Sequence, residues 1–304
     1  MAIQLTVMIE GQEGLTWERW RALARTVEDA GYAGLYRSDH LTGLFGDPSR
    51  SSLETWASLT WLASHTQRIR FGPLVCPLTF YHPALLAKRA AAVAELSGGR
   101  LDLGIGAGWH EGEHAMFGIP FPSLKERMDR FECGARVIRA LWRGRPVTLE
   151  QPYYPLREAQ SYPLPPGGGV PLIVGGRGER RTLRIVAEHA DEWNVWGDPD
   201  LCGQKAQVLA QHCEAIGRDP STILHSTQAM MFLSEDEEWL SGKRGNDIGR
   251  PVIVGNPNEV TDIVGRYRDA GIDELIVPEW NFGPMARRKE TLDLFIERVA
   301  PSFR

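Results

Sequence analysis

The residues best suited to chemistry sit in a few short clusters. Asp39-His40 is the sharpest polar pair. An imidazole donates or accepts a proton near neutral pH, and two adjacent residues at a strand end need not both face the same pocket. The structural alternative has Asp39 capping a loop and His40 hydrogen-bonded as scaffold. Gly175-Gly176-Arg177-Gly178 is a second cluster. Backbone without side chains lets an anion approach closely, the first N–H groups of a following helix point out unpaired, and Arg177 adds a charge, with Arg180 and Arg181 close behind. A tight turn needing glycine only for its dihedral angles is the competing account.

Gly104-Ile105-Gly106-Ala107-Gly108 is a third glycine run, ending at Trp109. It lies mid-chain without the acidic residue that a dinucleotide fingerprint places on the next strand, so it reads as a flat pocket floor with Trp109 as an aromatic wall. Trp193, Trp196 and Trp280 also fall where a planar ligand would want stacking partners, core packing being the alternative for each. His110-Glu111-Gly112-Glu113-His114 lacks the spacing of a helical zinc motif and lies in a glycine-rich turn context, so no metal is expected. Serine-hydrolase elbows and phosphate-binding P-loops are absent from the sequence as motifs.

These clusters need elements to hold them, and the chain supplies an alternation of apolar strand-length runs and helical periods. Expected strands are 3–10, 34–40, 68–76, 100–106, 171–175, 192–196, 223–233 and 274–278. Between and after them come helices at 16–30, 53–65, 83–97, 123–142, 179–190, 201–217, 258–270 and 286–299. Thr16 and Glu18 mark the entry of the first helix, and Gly31 ends it. Eight strands alternating with eight helices predict a parallel sheet closed into a (β/α)8 barrel, one domain spanning 1–304. An open doubly wound sheet is the runner-up, but Ile9-Glu10-Gly11-Gln12-Glu13-Gly14 after the first strand fails its glycine spacing. In a barrel the working residues lie at strand ends. That selects Asp39-His40, Val75-Cys76-Pro77, the Gly106–Glu111 run, Gly175–Gly178, Trp193–Trp196, Ser226-Thr227-Gln228 and Glu279-Trp280-Asn281. Irregular stretches at 45–52, 144–170 and 234–250 interrupt the pattern, with a small hairpin expected over 147–154.

The totals agree. The chain has 304 residues, 42% hydrophobic and 24% charged, the usage of an ordinary globular domain. A net charge of −5 and a pI near 5.9 argue against a broad nucleic-acid or anionic-membrane surface. No apolar run nears the ~20 residues of a membrane span, and the N-terminus shows no secretory pattern. Four cysteines without zinc spacing (Cys76, Cys133, Cys202 and Cys213) fit reduced thiols, so a cytoplasmic enzyme acting on a small molecule is expected.

Taken together, residues 30–41, 98–109, 174–178, 190–194 and 270–277 resemble the bacterial luciferase-like family of flavin- and deazaflavin-dependent oxidoreductases. Asp39-His40 with Gly106-Ala107-Gly108-Trp109 is most similar to the branch that uses coenzyme F420, a 5-deazaflavin; an FMN-dependent monooxygenase and a non-catalytic cofactor-binding barrel are the alternatives. The resemblance implies that Asp39 and His40 contact the ring region, with His40 near the transferred hydride. It also implies a bulge at the end of strand three, near Leu74-Val75 and followed by Cys76, that backs the ring and often carries a non-proline cis peptide. The cofactor phosphate is expected between Gly106-Ala107-Gly108 and Gly175-Gly176-Arg177-Gly178, with Trp109 and Gln228 completing the cofactor set. Some deazaflavin dehydrogenases of this family place a glutamate acid where Trp109 stands here, which counts against sugar-phosphate oxidation. Relatives often dimerise, which leaves a homodimer open.

Overall fold

The computed structural model describes residues 2–44, 47–246, 248–282 and 285–303. Its main sheet is parallel and contains Gln4–Ile9, Gly34–Arg37, Arg70–Pro73 with Cys76–Pro77, Leu103–Gly106, Leu172–Gly175, Glu192–Trp196, Leu224–Gln228 and Glu274–Pro278. The two ends of the sheet are the two halves of one strand. Arg70–Pro73 pairs with the second strand, and Cys76–Pro77 pairs with the fourth. A bridge between Phe71 and Leu101 closes the same seam. The result is the eight-stranded (β/α)8 barrel, with strand three broken at Leu74-Val75.

Strand residues alternate between two environments, as the pleat requires. Leu5, Val7 and Ile9 of the first strand face the helices and join the main core, which also takes in Leu35, Phe71, Leu103, Val174, Trp193 and Leu275. The intervening positions point into the barrel, where Met8, Tyr36, Leu74, Ile173 and Ile276 form a separate small cluster. Helix Trp17–Ala30 shows how the outer layer is fixed. Thr16 caps its start by accepting from Arg19 N at 3.2 Å, Gly31 ends it at φ 88°, and Trp20, Ala24 and Val27 form its buried stripe.

Several boundaries differ from the sequence reading. The strand expected over 223–233 leaves the barrel after Gln228. Residues Met230–Leu233 pair instead with Val252–Gly255 in a separate two-stranded parallel sheet, a strand the sequence reading did not contain. The helix expected from Glu179 begins three residues later, at Thr182–His189, with no side-chain cap on Arg181. The segment around Glu111, expected as a turn, is a short helix, Glu111–Met116. A small hairpin is present but is longer than the expected 147–154, with strands Val147–Leu149 and Leu156–Ala159. Among the described residues no helix is long and apolar enough to cross a membrane.

Candidate active site

A cavity of about 530 Å³ opens at the C-terminal ends of the barrel strands. That size falls in the range of small-molecule and cofactor pockets, roughly 300–1,000 Å³. It brings together Asp39, His40, Leu74, Val75, Gly108, Trp109, Gly175, Gly176, Arg177 and Gln228, most of the residues singled out from the sequence. Cys76, Gly106, Ala107 and Gly178 do not line it. Cys76 is buried in the main core. Gly106 lies behind the bulge, where an added Cβ would come within 2.7 Å of Val75 Cγ2, so its role is close packing rather than ligand contact. Gly178 borders a neighbouring groove, and its carbonyl accepts from Leu183 N at 3.0 Å. Gly176 sits at φ 135°, a conformation that an L side chain rarely adopts, which explains glycine at this turn.

The wall from strand three has the form that the resemblance implies: the Leu74-Val75 peptide is cis. The aromatic wall is only partly as expected. Trp109 lines the cavity at 60% exposure, and Trp196 lines it with the Arg250 guanidinium 4.4 Å over its ring. Trp193 instead belongs to the core, fully buried with Nε1 donating to Gly176 O at 2.8 Å, so it braces the glycine turn from outside. The side chains of Trp280 and Asn281 lie outside the described residues, as do Phe45 and Gly46 of one irregular stretch and Asp247 of another. Gly249, Arg250 and Pro251, at the end of the 234–250 stretch and just beyond it, do reach the cavity.

Asp39 and His40 have different surroundings. Asp39 is 3% exposed and accepts from the Tyr81 hydroxyl at 2.8 Å. Burial pushes its carboxyl above the usual range. His40 places Nδ1 2.9 Å from Glu113 Oε2, while Trp109 meets its ring edge-on at 5.9 Å. The second oxygen of Glu113 accepts from Leu41 N. The preceding residues hold the strand-two loop in place. Buried Arg37 donates to Ser58 Oγ at 2.7 Å and Leu53 O at 2.9 Å, and Ser38 Oγ accepts from Gly11 N at 2.9 Å.

The HExEH stretch now has a structural account. His110 Nδ1 accepts from Glu113 N at 3.0 Å, and His114 bonds His110 O through Nδ1 at 2.7 Å and Thr79 Oγ1 through Nε2 at 2.8 Å. Among the described residues no three His, Cys, Asp or Glu side chains converge on a metal position.

Sequence reasoning missed Glu113 as a partner of His40. It also missed Met8, Glu10 and Gln12 at the end of strand one, and the polar interior of the barrel. In that interior Gln228 Nε2 donates to Asn194 Oδ1 at 2.9 Å, Asn194 Nδ2 donates to Ser226 Oγ at 2.8 Å, and Ser226 donates to Glu192. The available signal was a carboxylate as the first residue of a strand, as at Glu192 and Glu274. Gln228 lines the cavity floor, and its buried carbonyl oxygen has no hydrogen-bond partner among the described residues.

Comparison with known proteins agrees with this geometry. The model of the luciferase-like monooxygenase family matches residues 3–243. The chain belongs to this family. An F420-dependent hydroxymycolic acid dehydrogenase of Mycobacterium tuberculosis is 27% identical over 279 residues, covering 91% of this chain and 75% of the relative. An F420-dependent glucose-6-phosphate dehydrogenase of Beutenbergia cavernae is 38% identical over 167 residues, 53% of this chain and 48% of that protein. Among solved structures, an F420-dependent secondary alcohol dehydrogenase in complex with an F420-acetone adduct superposes with a TM-score of 0.86 at 21% identity, with full coverage of both chains. At that identity it speaks to the fold alone.

Proposed function

We propose that this luciferase-like barrel is an oxidoreductase that uses coenzyme F420 to move a hydride to or from a small organic substrate. The observation that carries this reading is the single cavity that joins His40, the strand-three bulge and the Gly175-Gly176-Arg177 turn. An acid–base group, a wall for a planar ring and an anion-binding turn are the three things a phosphate-bearing deazaflavin needs. The two relatives, both F420-dependent dehydrogenases, support it.

The residues present fit such a group. Leu74 and Val75 offer an apolar wall, Gly108, Gly175 and Gly176 present backbone to the cavity, and Arg177 is an exposed cation beside them. Gln228 adds a buried carbonyl oxygen at the floor with no hydrogen-bond partner among the described residues. The cofactor supplies the hydride chemistry, and the protein supplies orientation, exclusion of water and a place for the proton. His40 serves that last purpose, taking a proton from a substrate heteroatom or returning it.

Equilibrium titration of the purified protein with F420 and with FMN tests the cofactor. Tight deazaflavin binding is expected. Tight FMN binding without deazaflavin affinity overturns the proposal in favour of flavin monooxygenase chemistry. Turnover is read as loss or recovery of the deazaflavin's visible absorption across a panel of alcohols, carbonyl compounds and sugar phosphates. Binding with no hydride transfer across the panel would return the protein to the cofactor-carrying class.

A further inference from the structure

Glu113 lies 73 residues from His40 in sequence, yet its carboxylate reaches the imidazole at 2.9 Å, with the glutamate side chain 1% exposed. Both its oxygens have partners, since the other accepts from Leu41 N, the residue after His40. The carboxylate therefore grips the strand-two end by ring and backbone at once. Its own position is fixed in turn. The Glu111–Met116 helix that carries it is anchored by the His110 cap at one end and by His114 on Thr79 at the other. Trp109 closes the third side of the imidazole with its edge-on ring. Among the described residues His40 Nε2 has no protein partner, and His40 lines the cavity.

An ionised carboxylate only accepts hydrogen bonds. Burial works against the charge on Glu113, but the His40 ring, the Leu41 N–H and His110 outweigh it and hold the carboxyl below its usual range. Facing such an acceptor, Nδ1 of a neutral imidazole must carry the hydrogen, which leaves the lone pair on Nε2. We propose that Glu113 is a positioning residue that locks His40 in the Nδ1–H tautomer and so keeps Nε2 as the proton acceptor facing the cavity. The assignment rests on the proposed proton role of His40. In the oxidising direction the substrate O–H bond breaks and its proton forms the Nε2–H bond. The imidazolium is then balanced by the Glu113 carboxylate, while the hydride leaves the adjacent carbon by the proposed activity. In the reducing direction the same imidazolium returns the proton. This supplies the acid–base function without an acidic residue at position 109.

Long-range proton–nitrogen correlation spectra of the protein labelled with 15N-histidine test the tautomer directly, with the His40 signals assigned by their loss in His40→Asn. The proposal requires Nδ1–H in the wild type and a mixed or reversed tautomer in Glu113→Gln, whose amide can donate as well as accept. It also requires a fall in kcat of roughly 10²-fold in Glu113→Gln, with cofactor affinity and substrate KM close to wild type, and partial recovery in Glu113→Asp. A wild-type Nε2–H tautomer overturns it, as does an unchanged tautomer or unchanged kcat in Glu113→Gln. Should Glu113→Gln fail to fold, the wild-type spectrum and Glu113→Asp still decide the matter. The spectra need neither cofactor nor substrate, so failure of the deazaflavin assignment, read by titration, is distinguishable from failure of the clamp.

Discussion

His40 engages Glu113 through one ring nitrogen, and its other nitrogen has no partner among the described residues. Asp39, one residue earlier, is buried against Tyr81. Removing each therefore perturbs something different. His40→Ala is expected to lower turnover by roughly 10²–10⁴-fold, the usual worth of a positioned acid–base group, with little effect on deazaflavin affinity. Stopped-flow turnover beside equilibrium titration checks both halves, and an unchanged rate would return His40 to scaffold. Arg177 should show the opposite profile. It is exposed and carries no ion pair among the described residues, so Arg177→Ala costs no folding contact. The expected loss is about tenfold in deazaflavin affinity, from one partly screened charge-assisted contact, shrinking as salt is raised. The place of Asp39-His40 at the cavity was legible in the sequence because two adjacent polar residue types stand at an expected strand end. The His40–Glu113 contact was not legible, because it joins two loops 73 residues apart and neither carries a local mark of the other.

At the scale of elements, the strand-three bulge decides the shape of the cavity, and glycines on neighbouring strands make room for it. An added Cβ at Gly106 would approach Val75 Cγ2 to 2.7 Å. Gly106→Ala should displace the bulge, cost about 1–3 kcal/mol by overpacking, and weaken cofactor binding along with stability. Gly203 is the contrasting case. It lies inside helix Pro199–Ala215 with nothing within 4 Å of a built Cβ, so Gly203→Ala should stabilise by roughly 0.5–1 kcal/mol and leave binding alone. Urea unfolding and cofactor titration of the two variants together separate bulge geometry from general glycine effects. The barrel itself was legible because eight apolar runs alternate with helical periods, a pattern that admits few closed topologies. The exit of the chain after Gln228 was not. Ala229 to Leu233 is an apolar run with no turn residue separating it from Gln228, and such a run is compatible with any buried partner. Its partner, Val252–Gly255, comes only after an irregular stretch whose sequence has no period.

At the scale of the whole molecule, the barrel interior holds more acid than base. Asp102, Glu192 and Glu274 are all buried, and Arg70 is ion-paired with Asp102. Tyr36 donates to Asp102, Thr6 to Glu274 and Ser226 to Glu192, which satisfies oxygens without cancelling charge. Burial pushes Glu192 and Glu274 up, Glu274 to about 7 against an ordinary 4.5, and the nearby carboxylates push the same way. The folded protein thus keeps a proton on Glu274 to about pH 7. The unfolded chain releases it near 4.5. Between those values the native state binds more protons than the unfolded state, so this group makes stability fall as pH rises through the window and level off above it. Glu274→Gln keeps the oxygen that accepts from Thr6 and removes the ionisation. The variant should match wild type near pH 5 and exceed it at pH 8, with a flatter slope of urea midpoint against pH between the two. An equal slope in wild type and variant would show that the interior charge sits elsewhere, with Glu192 the next to replace by glutamine.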